Sequence, residues 1–428
     1  MTFSVSCFSI TPVEKDARMK IYQVGGSVRD KLMQRTPHDT DYVVTGASVE
    51  QMQQLGYRQV GKHFPVFIEP SSGDEYALAR KEIKIGSKHT DFKFIFDSSI
   101  TLADDLERRD FTCNAIALDK DSGKIIDYHH GQKDIENKIL RHVNSQHFSE
   151  DPLRVLRMCR FAAQLGFTIA PETMLLAQKM VKQNMLSYLS AERIWQEFYK
   201  ALQSEYFDKF ITAMRECGAL KSILPEIDKM FSTPENLETH PEGNVGEHTI
   251  LSVKQVSHCT PKVKFAAFLH DVGKIVTPTK QIPNHKGHEA TGIQIINKIC
   301  QRLKVPNDIK NFAKISCQYH GYFYHILELS IEDLYETVSA LYKYNTDDLI
   351  NVFRADYFGR LLKKDTQIQK TKEDFFRKAL NIFKNIKATD MPDFSKLPKD
   401  KSFFLKYREF KINVLRQSLD DKNNSKEN

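Results

Sequence analysis

The run Gly25-Gly26-Ser27-Val28-Arg29-Asp30 constrains the fold of this chain more than any other stretch. It follows the apolar segment Ile21–Val24 and precedes Asp39-Thr40-Asp41. That order reads as strand, glycine turn, short helix over Val28–Met33, then a second strand over Asp41–Val44. Two glycines after a strand let the backbone approach a phosphate closely. The helix that follows aims its first N–H groups at the same point. Arg29 adds a fixed cation suited to a triphosphate. Gly25, Gly26 and Arg29 are therefore candidate nucleotide-binding residues.

Asp39 and Asp41 are separated by one residue, and at the start of a strand that spacing puts both carboxylates on one face. Neighbouring carboxylates repel unless a divalent cation sits between them, and hard oxygen ligands suit Mg²⁺. A third carboxylate helps hold two metals for in-line phosphoryl chemistry. Glu75, on the predicted strand Glu75–Arg80, is the candidate. A glycine pair alone, or D-x-D alone, is more often a turn or a solvated acidic loop. Their conjunction with Arg29 and Asp30 reverses that reading.

The rest of residues 19–145 reads as mixed α/β. Phe64–Glu69 and Glu75–Arg80 resemble paired strands around Ser71-Ser72-Gly73-Asp74. Residues 81–100 are polar and read as a mobile loop. Ala115–Leu118 and Ile125–Asp127 are expected to close the sheet. Beyond that, apolar residues recur at helical spacing in Leu153–Leu165, Ile194–Leu202 and Phe207–Leu220. Residues 146–230 are therefore expected to be helical, with 231–246 a Pro-, Gly- and Asn-rich linker. Residues 247–360 and 361–417 read as helical again. The fold class is α+β: an α/β head with a mixed sheet, an all-α neck and body, and a further all-α domain. Residues 1–18 read as a dispensable extension and 418–428 as a disordered tail.

A second constellation lies in the helical half. His270-Asp271 ends the apolar run Phe268-Leu269, with His248 upstream and Asp356 downstream. An isolated His-Asp dipeptide is common and carries little. The ordered set predicts a divalent-metal site able to acidify water for phosphate-ester hydrolysis. His285, His288 and His320 are further candidates for a second metal or for the phosphate.

Composition adds bounds rather than identity. The net charge of +7, from 62 Lys and Arg against 55 Asp and Glu, suits a polyanionic partner without selecting one. Seven scattered cysteines without a C-x-x-C pair point to free thiols in a reducing cytoplasm. No apolar run approaches the roughly 18 residues of a membrane span.

Gly25–Asp30 with Asp39-x-Asp41 resembles the signature of class II tRNA nucleotidyltransferases and bacterial poly(A) polymerases. Asp105–Ala115 resembles their second signature. The likeness continues through Gly131–Val143, Glu150–Arg160 and Glu192–Glu197, covering about Met19 to Gln417. It is nearest to the bacterial multifunctional CCA-adding proteins, which carry an HD domain. The resemblance implies addition and repair of the tRNA CCA end from CTP and ATP without a nucleic-acid template. It implies a nucleotidyltransferase head with Mg²⁺ at Asp39 and Asp41. It gives Arg109 a triphosphate or ribose contact, and Asp110 and Asn114 a role at the ribose hydroxyls or in bracing the loop.

The same resemblance makes Asp151 and Arg154 a protein template for the incoming base, with Arg157 one turn further, and Glu192, Arg193 and Glu197 a helix brace. The template chemistry is coherent. Cytosine and adenine each offer an exocyclic amine beside a ring-nitrogen acceptor, which a carboxylate and a guanidinium satisfy together. For the HD centre the likeness implies 2′,3′-cyclic phosphodiesterase, 2′-nucleotidase and phosphatase activity with Ni²⁺, Mn²⁺ or Mg²⁺. The implied partners are tRNA, ATP and CTP, and a homo-oligomer is left open. The rivals are a poly(A) polymerase, a CC- or A-only adding enzyme and, more distantly, an HD phosphohydrolase with a non-catalytic RNA-binding head. The intact histidine–aspartate set and the lack of a strongly basic C-terminal extension count against the first.

Overall fold

The computed structural model describes residues 19–37, 39–60, 66–84, 92–96, 98–392, 394–396 and 400–420. The extension read over 1–18, and the end of the tail from 421, lie outside them. The chain forms two compact units, one ending at Leu189 and one beginning at Ser190. The helical region expected over 146–230 is thus divided between them.

In the first unit, β1 (Lys20–Val24) pairs antiparallel with β2 (Asp41–Thr45). Alternation along these strands feeds opposite faces of the sheet. Ile21 and Val44 join Met52, Phe67 and Leu78 on one face. Tyr22, Val24 and Val43 join Leu102, Leu106 and Ala117 on the other. The remaining strands of this sheet are β3 (Arg58–Val60), β4 (Val66–Ile68), β5 (Glu75–Leu78), β8 (Ala117–Asp119) and β9 (Ile125–Ile126). The order across it is β3-β4-β5-β2-β1-β8-β9. Within it β2 and β5 run parallel and the other pairs antiparallel, so the sheet is mixed as expected.

The segment read as a loop over 81–100 departs from expectation. Lys81–Lys84 (β6) and Phe92–Ile95 (β7) pair antiparallel, apart from the main sheet. The alternation Phe92-Lys93-Phe94 was the available strand signal, outweighed in the reading by the polar residues around it.

Helices cover the sheet. α1 (Gly26–Leu32) follows β1 directly. α2 (Val49–Gln54) and α3 (Leu102–Glu107) each begin with a capping box, Ser48 with Gln51 and Thr101 with Asp104. After them come α4 (Gly131–Glu136), α5 (Ser145–Glu150), α6 (Leu153–Leu165) and α7 (Pro171–Lys182).

The second unit is helical. It contains α8 (Ala191–Leu202), α9 (Phe207–Glu216), α10 (Ala219–Ile223), α11 (Pro225–Met230), α12 (Val245–Gln255) and α13 (Pro261–Leu269). It continues with α14 (His288–Leu303), α15 (Asn307–Tyr324), α16 (Ile331–Leu341), α17 (Thr346–Phe358), α18 (Thr366–Asn385) and α19 (Lys401–Asp420). The single helix expected over 207–220 is broken between α9 and α10 at Cys217-Gly218. α13 is buried from Val263 to Leu269, including Lys264, whose ammonium donates to the Ser204 carbonyl at 2.6 Å. A helix apolar on all sides belongs at the centre of its unit, and His270-Asp271 follows its end. Among the described residues no helix is long and apolar enough to cross a membrane.

Candidate active sites

At one end of the main sheet, Val24 of β1 pairs with Asp41 of β2, and Asp41 pairs with Glu75 of β5. Paired residues on adjacent strands point the same way. The next pair, Tyr42 and Tyr76, stack at 4.6 Å and show this directly. Asp41 and Glu75 therefore stand side by side on the opposite face, on strands about 4.8 Å apart. Asp39 is exposed two residues earlier. Partial burial raises the Asp41 pKa, the Arg109 cation opposes the rise, and the Asp39 charge adds to it. These three carboxylates crowd one edge, which is the situation a divalent cation relieves.

The glycine turn begins where β1 ends. Gly25 has φ +73°, a left-handed conformation that a side chain strains. A Cβ there would stand 3.1 Å from Arg109 Nη1. Arg109 is anchored through Asp105 at 3.0 Å, so it lies between the turn and Asp41. Arg29 is buried on α1, donates to Asn114 Oδ1 at 2.7 Å and pairs with Asp30 at 2.7 Å.

Asn114 passes this contact onward. Its amide donates to Asp110 Oδ1 at 3.1 Å, which also accepts the Phe111 N–H at 2.9 Å. Asp110 Oδ2 accepts from Arg157 of α6, through Nε at 2.8 Å and through Nη2. Burial works to raise the Asp110 pKa, but Arg157 and Asn114 outweigh it and hold the carboxyl at about 2. With both oxygens engaged, Asp110 has the bonding of a brace rather than of a ribose acceptor.

Asp151 precedes α6 instead of lying within it. Its backbone is extended and its carboxylate caps the Leu153 N–H at 3.0 Å. Arg154 sits in the first turn of α6 and donates to the Arg108 carbonyl at 2.6 Å. These bonds tether each side chain and restrict its rotamers. Of the expected helix brace, Glu192 is exposed and pairs with Lys304, while Glu197 is buried on α8.

In the second unit, helices α12, α13, α14, α15 and α17 bring His248, His270, Asp271, His288, His320 and Asp356 together. Each histidine has its Nδ1 on an acceptor. His248 uses the Glu242 carboxylate at 2.9 Å, and His270 the Ala267 carbonyl at 2.8 Å. His288 uses the His285 carbonyl at 2.9 Å, and His320 the Cys317 carbonyl at 2.8 Å. These bonds assign the proton to Nδ1 in each neutral ring and leave a lone pair on each Nε2.

The Nε2 atoms converge on carboxylates. His270 Nε2 lies 3.2 Å from Asp271 Oδ2, and His248 Nε2 3.2 Å from Asp356 Oδ1. His288 and His320 Nε2 lie 3.2 and 3.3 Å from Asp271 Oδ1 and 3.1 Å from each other. His270 Nε2 and Asp271 Oδ1 are buried with no hydrogen-bond partner. Lone pairs facing one another in a dry site need a proton or a metal cation between them, and the convergence of four imidazoles on Asp271 and Asp356 fits a divalent metal.

Gly273 explains the close approach of α14. A Cβ there would collide with the His288 carbonyl. His285 does not join the cluster: its ring bonds Thr277 at 3.0 Å and the Pro234 carbonyl at 2.9 Å. Sequence reasoning missed the supporting residues. Glu235 and Glu242 come from the stretch read as a linker, where nothing marks a lone glutamate as buried. Lys274 bridges Asp271 and Glu235 at 2.8 Å each. Its position three residues after Asp271 was the available signal.

The family model described as "Poly A polymerase head domain" matches residues 21–141, and the "HD domain" model matches residues 245–360. Between them, residues 166–231 match "Probable RNA and SrmB- binding site of polymerase A". The chain is thus of the class that joins a polymerase-type nucleotidyltransferase head to an HD domain. It is 42% identical over 399 residues to a multifunctional CCA protein of Acinetobacter baumannii (strain SDF), covering 91% of this chain and 96% of that one. The chain belongs to the multifunctional CCA protein family. Its fold is similar to that of the Bacillus stearothermophilus CCA-adding enzyme in complex with CTP, with TM-score 0.63 and 20% identity, covering 96% and 94% of the two chains. It is also similar to a Thermotoga maritima CCA-adding enzyme complexed with tRNA_CCA, with TM-score 0.60 and 19% identity, covering 94% and 91%.

Proposed function

We propose that this chain adds and repairs the 3′-terminal CCA of tRNA from CTP and ATP without a nucleic-acid template. The observation that carries this reading is the meeting of the glycine turn, Arg109, Asp41 and Glu75 at one end of a mixed sheet. Membership of the multifunctional CCA protein family supports it.

Asp39 and Asp41, with Glu75 beside them, are the residues that would hold Mg²⁺. The bound cation supplies charge neutralisation for the triphosphate and lowers the pKa of an attacking hydroxyl. Arg109 faces the triphosphate from the glycine turn, and Arg29, buried and engaged by Asp30 and Asn114, holds the helix behind that turn. Asp110 and Asn114 connect Arg29 to Arg157, so the phosphate end and the base-reading helix are braced together. Asp151 accepts from the exocyclic amine of cytosine or adenine, and Arg154 donates to the ring nitrogen. Uracil and guanine present the reverse pattern.

The HD centre is read as a phosphohydrolase acting on damaged RNA ends and nucleoside phosphates. His248, His270, Asp271 and Asp356 would hold one divalent cation. His288 and His320 would share Asp271 with a second, because they address its other oxygen. Bound metal there supplies Lewis acidity toward a phosphate ester and water. Removing a terminal cyclic or 2′-phosphate restores the hydroxyl that extension needs. The tRNA substrate, the free described cysteines and the absence of a membrane-crossing helix among the described residues fit the cytoplasm.

The test uses purified protein, tRNA ending before CCA, labelled CTP and ATP, and Mg²⁺, with products resolved to one nucleotide. Extension by C, C and A is expected. A long A tract would instead identify a poly(A) polymerase, and CC or A alone a partial adding enzyme.

A further inference from the structure

α15 continues one turn past the candidate metal ligand His320, the chain leaving α17 reaches the same level past Asp356, and the residues they bring there meet each other. On α15, Tyr324 follows His320 by four positions; beyond α17, Arg360 follows Asp356 by four. Residues at that spacing share a helix face, and one turn advances about 5.4 Å. The Arg360 guanidinium lies 4.9 Å from the centre of the Tyr324 ring, and Lys372 lies 4.5 Å from the same ring.

Tyr324 and Arg360 line a cavity of about 420 Å³ that is also walled by Asp271, His288, His320 and Asp356. Small-molecule sites of roughly 300–1,000 Å³ are typical, so a mononucleotide fits this class. The cavity cations differ. Lys274 is spent between Asp271 and Glu235, at 2.8 Å each. Arg360 donates through Nη2 to Asp356 at 3.0 Å, while its Nε is buried without a hydrogen-bond partner. Tyr324 is 37% exposed and lines the cavity beside Tyr322 and Leu329. This wall therefore offers an aromatic plane and the Arg360 guanidinium to a ligand that is planar at one end and anionic at the other.

We propose that Tyr324 and Arg360 form a nucleoside-binding subsite of the HD centre. The base of a nucleoside 2′-phosphate or 2′,3′-cyclic phosphate packs on the ring–guanidinium wall, and its phosphate reaches the ligand cluster one turn away. Arginine planes and tyrosine rings both stack on bases. This subsite rests on the phosphohydrolase reading of the centre. It adds what that reading lacks, a reason for the centre to prefer nucleotides over other phosphate esters.

The test compares adenosine 2′-phosphate with glycerol 2-phosphate, a secondary phosphate ester without a base, on metal-loaded full-length protein. Tyr324→Ala should raise KM for the nucleotide about tenfold, the scale of one lost stacking contact. It should leave KM for glycerol 2-phosphate within about twofold, and Tyr324→Phe should restore the nucleotide KM. Arg360→Lys, which keeps the charge and loses the plane, should act in the same direction as Tyr324→Ala. Calorimetric binding of adenosine, the dephosphorylated product, should weaken in parallel, with metal content unchanged. Equal effects on both phosphates, or none on either, would overturn the subsite while leaving the phosphohydrolase reading intact. Hydrolysis of neither phosphate by the wild type would overturn that reading and the subsite with it.

Discussion

The head gathers its carboxylates at the open end of a sheet, whereas the HD centre folds its ligands into the interior. Asp39, Asp41 and Glu75 are all exposed. His248 and His270 are 0% and 1% exposed, and Asp271 2%. The first arrangement suits a site where each triphosphate arrives and leaves in every cycle. The second suits a resident metal, with Glu242 and backbone carbonyls already holding the rings in one tautomer. The contrast shows where binding energy enters: from the incoming ligand in the head, and from the fold itself in the HD centre.

Chelation should separate the two most sharply. EDTA is expected to lower both activities by more than about a thousandfold, the scale of losing metal-supplied charge stabilisation. On readdition of metal, nucleotidyl transfer should recover at once and phosphoester hydrolysis slowly, because only the HD ligands are buried. Stopped-time assays of both activities on one sample measure this, and equal recovery rates would remove the contrast.

Glu242→Gln is expected to weaken metal binding at the HD centre by roughly 10- to 100-fold, as loss of a histidine-orienting carboxylate does. CCA addition should not change. Metal titration followed by both activities reads the outcome. In the head, Arg154→Ala should reduce discrimination against UTP and GTP about tenfold, the scale of one bidentate base contact. An equal fall in rate with all four nucleotides would instead assign Arg154 a structural role.

The smallest effect concerns stability. Asp110 has a folded pKa of about 2, below its ordinary 3.8. Its stabilisation is therefore present above about pH 4 and is lost as pH falls toward 2. A shift of that size corresponds to about 2 kcal/mol. Asp110→Asn should flatten this part of the acid denaturation curve. A wild-type curve that the substitution leaves unaltered would show that the Arg157–Asp110–Asn114 chain is not stabilising.

How far these sites could be read in sequence follows from how local they are. The glycine turn and D-x-D lie within 17 residues of one another, and strand alternation alone predicted that Asp39 and Asp41 share a direction. Glu75 was named from its place on a strand, but that β2 and β5 are neighbours is a fact of the sheet that the residue pattern does not carry. The candidate HD ligands, His288 and His320 among them, were visible as chemistry, but the way they address the two oxygens of Asp271 is tertiary. Glu242 was illegible because a glutamate in a Pro- and Gly-rich stretch reads as solvated. That the Asp151 carboxylate caps α6 from outside, on the Leu153 N–H, is set by its extended backbone and was not legible in the residue pattern. The β6–β7 pair was missed because the charged and polar residues between its strands led the whole of 81–100 to be read as one loop.

The central claim is that one chain carries two independent centres, one for nucleotidyl transfer and one for phosphoester hydrolysis. The direct measurement pairs Asp39→Ala/Asp41→Ala with His270→Ala/Asp271→Ala. Each is assayed on tRNA lacking CCA and on tRNA ending in a 2′,3′-cyclic phosphate. The first variant should lose extension and keep hydrolysis, and the second should do the opposite. Loss of both activities in either variant, with folding intact by circular dichroism, would contradict the account.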